Sequence, residues 1–122
     1  MYLVDTSIWI DHFRSGDEAL AAALDRQQVL SHDFVIGEIA LGNLRQRGAV
    51  LESLQNLPRA SLASDVEVLA FIERHSLCDL GIGYIDAHLL ASTKLTRDAV
   101  LWTRDKRLSK IAHKLMISAA MN

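Results

Sequence analysis

The chain has 122 residues and a mass of 13.6 kDa, a length that accommodates one domain and not two. Half of its residues are hydrophobic and 23% are charged, which is typical of a globular protein and excludes collagen-like and low-complexity disordered chains. A single cysteine excludes an internal disulfide framework and a multi-cysteine zinc site.

No apolar run reaches the roughly 20 residues of a membrane span, and the first residues lack the pattern of a secretory signal. We therefore expect a cytoplasmic protein without membrane contact. The net charge of −2 does not by itself indicate a nucleic-acid partner, but its distribution is uneven. Residues 94–122 contain seven Lys and Arg against two Asp, whereas residues 1–93 contain six basic and thirteen acidic residues. This basic segment predicts either a phosphate-binding surface or an ordinary solvated one.

Short apolar segments alternate with amphipathic or alanine-rich segments along the chain. The predicted elements, in order, are a strand at 2–4, a helix at 17–27, a strand at 29–30, a helix from Ser31 or Asp33 to about 47, a helix at 49–57, a strand at 61–63, a helix at 64–76, a helix at 84–95, a strand at 99–102, a helix at 105–112 and a strand at 115–117. This alternation predicts an α/β fold in which helices cover both faces of a parallel sheet. We assign residues 1–122 to one domain.

Glu38 lies on a predicted helix whose surface is apolar nearly all round. At 100° per residue, Glu38 falls between Phe34 and Val35. An unpaired carboxylate is costly to bury, so the residue needs a partner. Arg45, on the same predicted face, is one structural candidate, and a functional ligand is the alternative.

Asp86 repeats this pattern on the helix at 84–95, where it falls between Leu89 and Leu90. The structural alternative is a first-turn acid that complements the helix dipole. Asp5 and Asp105 each follow a predicted strand, where ligands of open parallel sheets collect. Each of these two residues could instead be a helix N-cap.

The four acidic residues indicate a function more strongly together than singly. They are Asp5, Glu38, Asp86 and Asp105. Carboxylates that converge repel one another unless a cation lies between them, and Mg²⁺ and Mn²⁺ prefer oxygen ligands of this kind. Such an ion activates water and stabilises the charge that develops on a phosphate. The set therefore indicates metal-dependent phosphodiester hydrolysis.

With these four positions in order, the sequence resembles the PIN-domain family, and within it the VapC toxins of toxin–antitoxin pairs. The matching segments are residues 3–7 (LVDTS), Glu38, residues 83–91 (GYIDAHLLA) and residues 101–108 (LWTRDKRL). The resemblance implies a PIN-like parallel sheet flanked by helices and a Mg²⁺- or Mn²⁺-dependent ribonuclease that cuts RNA, often tRNA or rRNA. It also implies a homodimer and a cognate antitoxin that inserts a segment into the active-site groove.

The resemblance also assigns roles to individual residues. It maps the catalytic and metal-binding quartet to Asp5, Glu38, Asp86 and Asp105. Asp5 and Asp86 are expected to bind the metal directly, Glu38 to hold the metal or its water, and Asp105 to complete the site. The hydroxyls expected to orient these groups belong to Thr6, Ser7 and Thr103. Candidates for phosphate contact, or for ordinary surface charge, are Arg104, Lys106 and Arg107.

Three other functions remain open at this point. A housekeeping PIN nuclease in RNA processing would have the same quartet. A receiver-like phosphoacceptor domain has similar length and an acidic pocket, but it usually has adjacent acids after its first strand and a Lys-Pro pair, and this chain has neither. A catalytically inactive PIN module would only bind a partner. Trp9 and Phe13 are expected in the core, with a dimer or antitoxin surface as the alternative.

Overall fold

The computed structural model describes residues 1–120. Within them, three strands form a parallel sheet in the order β2-β1-β3. The central strand β1 (Tyr2–Val4) pairs with β2 (Val29–Leu30) on one side and with β3 (Val100–Trp102) on the other. Leu3 lies opposite both Leu30 and Leu101. The predicted α/β class with a parallel sheet is confirmed.

Helices account for most of the remaining chain. The seven that lie within residues 1–120 are α1 (Thr6–Ser15), α2 (Glu18–Asp25), α3 (Asp33–Ala40), α4 (Arg47–Gln55), α5 (Asp65–Arg74), α6 (Tyr84–Leu95) and α7 (Lys106–Lys114). The predicted helix at 84–95 has the bounds of α6. The predicted cap of α5 is also confirmed, because Ser64 and Glu67 form a reciprocal capping box.

The core is built around β1 and β3. Leu3, Val4 and Leu101 are buried, as expected for a parallel sheet covered on both faces. Helix α6 is buried continuously from Ala87 to Thr93. It therefore holds Asp86, one residue earlier, on a rigid part of the molecule. No helix within residues 1–120 has the length and apolar character needed to span a membrane.

Two predicted strands are wrong. Residues 61–63 are irregular, and the neighbouring pairing is a single bridge between Ser31 and Arg59. At the C-terminal end, α7 continues to Lys114, and the pairing with β3 is reduced to one bridge between Leu101 and Ser118. Segments of three residues are too short for their pattern to distinguish a strand from an irregular segment, and Leu62 and Met116 at their centres are exposed.

One helix is much shorter than predicted, and another was not predicted at all. Helix α3 ends at Ala40, well before residue 47. Arg47 donates to the carbonyls of Ala40 and Gly42, so its guanidinium satisfies groups that the helix end leaves free. Helix α1 was not assigned from the sequence, although it follows β1 directly.

Candidate active site

Asp5 lies at the carboxyl end of β1, where the strand passes into α1. Its backbone N–H donates to the Trp102 carbonyl of β3 at 2.9 Å, and its side chain accepts from the Thr6 N–H at 2.8 Å. The side chain is thus a helix N-cap, and the residue is only 8% exposed. Both bonds fix the Asp5 carboxylate at the end of the sheet.

Two hydroxyl groups hold the second oxygen of Asp5. Thr103 Oγ1 donates to Asp5 Oδ2 at 2.7 Å, and Ser7 Oγ donates to the same atom at 3.1 Å. The Ser7 hydroxyl also accepts from the Arg104 N–H at 3.2 Å. Two hydroxyl donors on one oxygen hold the Asp5 carboxylate in a fixed orientation, and such a role was expected of Ser7 and Thr103.

Glu38 is held by the other predicted hydroxyl. Thr6 Oγ1 donates to Glu38 Oε1 at 2.7 Å, which ties α1 to α3 beside Asp5. Arg45 was the alternative partner for Glu38, but it is exposed and lies beyond the end of α3. The prediction of an Arg45 contact is therefore wrong. It failed because it assumed that the helix continued to this residue.

Asp86 lies in the first turn of α6 and accepts from the Gly83 N–H at 3.1 Å. Burial raises the pKa of the Asp86 carboxyl above its usual range, against the opposing effect of the Gly83 N–H. The negative charges of three further carboxylates raise this pKa as well, and they belong to Asp5, Asp105 and Glu38. Asp86 is therefore close enough to each of the other three predicted acids for their charges to affect its ionisation.

Asp105 is the N-cap of α7, which was the structural alternative to a functional role in the sequence analysis. Its Oδ1 accepts from the N–H groups of Arg107 and Leu108 at 2.9 and 3.0 Å. Its own N–H donates to Thr103 Oγ1 at 3.1 Å, so Asp105 and Asp5 share one hydroxyl. The cap engages one oxygen of Asp105 and leaves Oδ2 without a hydrogen bond to residues 1–120.

The carboxylates have the chemistry to hold a divalent cation. Oδ1 of Asp86 and Oε2 of Glu38 accept no hydrogen bond from residues 1–120, and carboxylate oxygens are the ligands that Mg²⁺ and Mn²⁺ prefer. Residues 1–120 contain no group of three or more His, Cys, Asp or Glu side chains that is arranged to hold a metal ion. Mg²⁺ commonly binds through one or two carboxylates and keeps several waters, so the donor set fits such an ion without a closed protein cage.

The three basic candidates have different surroundings. The Arg104 guanidinium forms ion pairs with Asp11, at 2.9 Å, and with Asp17. Arg107 reaches the Gly81 carbonyl at 3.4 Å. Lys106 is exposed and forms no ion pair with residues 1–120. The charge of Arg104 is therefore largely neutralised by protein carboxylates, whereas the charge of Lys106 is not.

His32 is a buried residue that contacts the helices of Glu38 and Asp86, and the sequence analysis did not identify it as a site residue. Its Nδ1 accepts from the Phe34 N–H at 3.0 Å and caps α3, the helix that holds Glu38. Its Nε2 lies 3.0 Å from Ser92 Oγ on α6. Burial lowers the pKa of His32, which favours the neutral ring with its proton on Nε2. The ring therefore joins the helices of Glu38 and Asp86. The only available signal was a histidine one residue before a helix.

Trp9 lies in the core as expected, 3% exposed, with Phe13 stacked on it at 5.8 Å between ring centroids.

Comparison with known proteins agrees with this arrangement. A family model described as "PIN domain" matches residues 2–114. The chain belongs to the PIN-domain family. Two curated relatives, both named Ribonuclease VapC32 and from two strains of Mycobacterium tuberculosis, are 45% identical to it over 108 residues. The aligned region covers 88% of this chain and 87% of each relative. The resemblance to VapC-type PIN domains is confirmed, and the receiver-like alternative is disfavoured.

Proposed function

We propose that this chain is a VapC-type toxin, an endoribonuclease that hydrolyses RNA phosphodiester bonds with Mg²⁺ or Mn²⁺. The observation that carries the proposal is the grouping of carboxylates at the carboxyl end of β1, where Thr6 joins Asp5 to Glu38 through its N–H and its hydroxyl. The charges of both acids also raise the pKa of Asp86, after the larger effect of burial. Like charges at such proximity destabilise one another, and a cation among them removes the repulsion. The Ribonuclease VapC32 relatives support RNA as the substrate.

Asp5 and Asp86 would bind the cation directly, and Glu38 would hold the cation or its water. Asp105 would complete the site, directly or through water. The bound cation would supply an activated water and would stabilise the charge that develops on the phosphate. The protein contributes orientation. Thr6 fixes the Glu38 carboxylate, while the Thr103 hydroxyl fixes Asp5. Preorganised ligands of this kind avoid the cost of ordering the site during the reaction.

The proposal also includes the finer features that the sequence implied. The substrate would be a structured RNA such as tRNA or rRNA, and a cognate antitoxin would silence the enzyme. The chain would form a homodimer and act in the cytoplasm. Lys106 and Arg107 remain the proposed phosphate contacts among the three basic residues, because Arg104 is engaged by Asp11 and Asp17.

Cleavage of total RNA by the purified chain tests the proposal. The reactions contain Mg²⁺, Mn²⁺ or EDTA, and Asp86→Asn purified in the same way controls for contaminating nucleases. We expect cleavage that requires the metal and is absent in the variant. Equal cleavage by both proteins would show that the activity belongs to a contaminant or that the site is wrong. Because a narrow substrate range could hide the activity, purified tRNA and rRNA are tested in the same series.

A further inference from the structure

A groove lies between α7 and the segment that follows it, and it opens beside the carboxylates. We name it the α7 groove and define it by Thr103, Arg104, Lys106, Lys110, His113 and Ser118. We propose that the α7 groove binds the sugar–phosphate backbone of the RNA on one side of the cleaved bond, with Lys110 and His113 as contacts remote from the active site. This inference rests on the proposed function and extends it to the path of the substrate.

The α7 groove is continuous with the active site through one residue. Thr103 lines the groove, and its hydroxyl donates to Asp5 Oδ2 at 2.7 Å. A strand whose phosphate lies at the carboxylates could therefore enter the groove without crossing another part of the surface. The volume of the groove, about 750 Å³, is large enough for more than one nucleotide.

The charge of the α7 groove suits an anionic polymer. Every ionisable side chain that lines it is basic, namely Arg104, Lys106, Lys110 and His113. Lys106 and Lys110 are exposed and form no ion pair with residues 1–120. Arg104 differs, because Asp11 and Asp17 already engage it. The lysines are therefore the cations best placed to replace the counterions of RNA phosphates.

The spacing along α7 matches a strand that runs parallel to the helix. Lys106, Lys110 and His113 are separated by four and three residues, so they lie on one face of the helix. The opposite face is anchored in the core by Leu108 and Ile111. At a rise of 1.5 Å per residue, the three basic side chains extend over roughly 10 Å. That length corresponds to about three nucleotides of a stacked strand.

Charge reversal at two positions tests the α7 groove. Lys110→Glu lies in the groove, whereas Lys94→Glu changes the same charge at an exposed position of α6 that does not line it. Both are introduced into Asp86→Asn so that the RNA is not cut. The affinity for a fluorescein-labelled single-stranded RNA of roughly twelve nucleotides is measured by anisotropy across a series of salt concentrations.

We expect Lys110→Glu to weaken binding roughly tenfold and to reduce the slope of log K against log salt by about 0.7, the value for one contact to a single strand. Lys94→Glu should weaken binding less than about twofold. Equal weakening by both variants would overturn the proposal that the α7 groove binds RNA. If the chain without substitutions cuts RNA with metal in a parallel reaction, equal weakening contradicts only the role of the α7 groove and leaves the proposed function standing. If the chain without substitutions neither cuts nor binds RNA, the proposed function is contradicted as well.

Discussion

Thr6 and Glu38 are joined by a hydrogen bond of 2.7 Å from Oγ1 to Oε1, although 32 residues separate them in the chain. The Asp5 carboxylate caps α1 and accepts from the N–H of the same threonine. Thr6 therefore connects two of the four carboxylates, one through its backbone and the other through its side chain. A residue that touches both can set their relative positions without binding a ligand itself.

Replacement of Thr6 by valine removes the hydroxyl and keeps the shape of the side chain. We expect kcat to fall roughly tenfold, which corresponds to about 1.4 kcal/mol, because Glu38 loses the donor that orients it. Thr6→Ser keeps the donor and should retain most of the activity. Steady-state cleavage of a defined RNA measures both variants. Equal rates for Thr6→Val and the parent would show that this bond does not position Glu38.

Asp86→Asn is expected to stabilise the chain in metal-free buffer at neutral pH. Because folding raises the pKa of Asp86, the ionised carboxylate destabilises the folded state. This penalty is absent below the pKa of the unfolded chain, near 4, and develops as the pH rises through the folded value. Thermal melts of the parent and the variant between about pH 4 and pH 7.5 measure it. The gain in Tm should be larger at neutral pH, and a gain that is independent of pH would contradict the raised pKa of Asp86 that burial and the neighbouring charges cause.

His32 is expected to make stability depend on pH in the opposite direction. Because burial lowers its pKa, the unfolded chain takes up a proton more readily. Stability from this residue is therefore complete above about pH 6.5 and is lost as the pH falls toward the folded value. His32→Asn keeps an acceptor for the Phe34 N–H but does not titrate. Denaturant unfolding between about pH 5.5 and pH 7.5 should show a smaller pH dependence for the variant than for the parent.

Arg104 offers a contrast with Lys106. Because Asp11 and Asp17 engage its guanidinium, we expect Arg104→Ala to change RNA affinity less than Lys106→Ala does. The free energy of unfolding should fall by less than about 1 kcal/mol, since the Arg104 side chain is 42% exposed and water screens its ion pairs. RNA titration at several salt concentrations compares the two variants. A larger loss of salt dependence in Arg104→Ala would show that RNA displaces the two aspartates.

The sequence predicted those features that local chemistry determines. The capping box of Ser64 and Glu67 marked the start of α5, and the apolar runs at residues 2–4 and 99–102 marked the strands that flank Asp5 and Asp105. The positions of the four acids could be predicted because each one follows a strand or lies on an apolar helix face. Their convergence on one cation site was inferred from the four acids as a set and from the resemblance, and it stays a prediction, which the effect of the other three charges on Asp86 supports.

Tertiary contacts determined the features that the sequence did not predict. Helix α1 begins with Thr6 and contains Ile8 and Ile10, β-branched residues that weaken the helical signal. Its cap by Asp5 and the packing of Ile8 in the core compensate for this. Helix α3 ends at Ala40, and the Arg47 guanidinium donates to the carbonyls of Ala40 and, just beyond the helix, Gly42. The cap of α3 is His32 rather than Ser31 or Asp33, because burial places its ring between two helices.

The central claim is that Asp5, Glu38, Asp86 and Asp105 form one cation site. Calorimetric titration of Mn²⁺ into the parent chain, Asp5→Asn and Asp86→Asn tests it most directly. Asp25→Asn is the matched control, because Asp25 is an exposed residue at the end of α2. We predict that the parent and the control bind Mn²⁺ with the same affinity, while either site variant loses at least about tenfold. Equal affinity in all four proteins would contradict the claim.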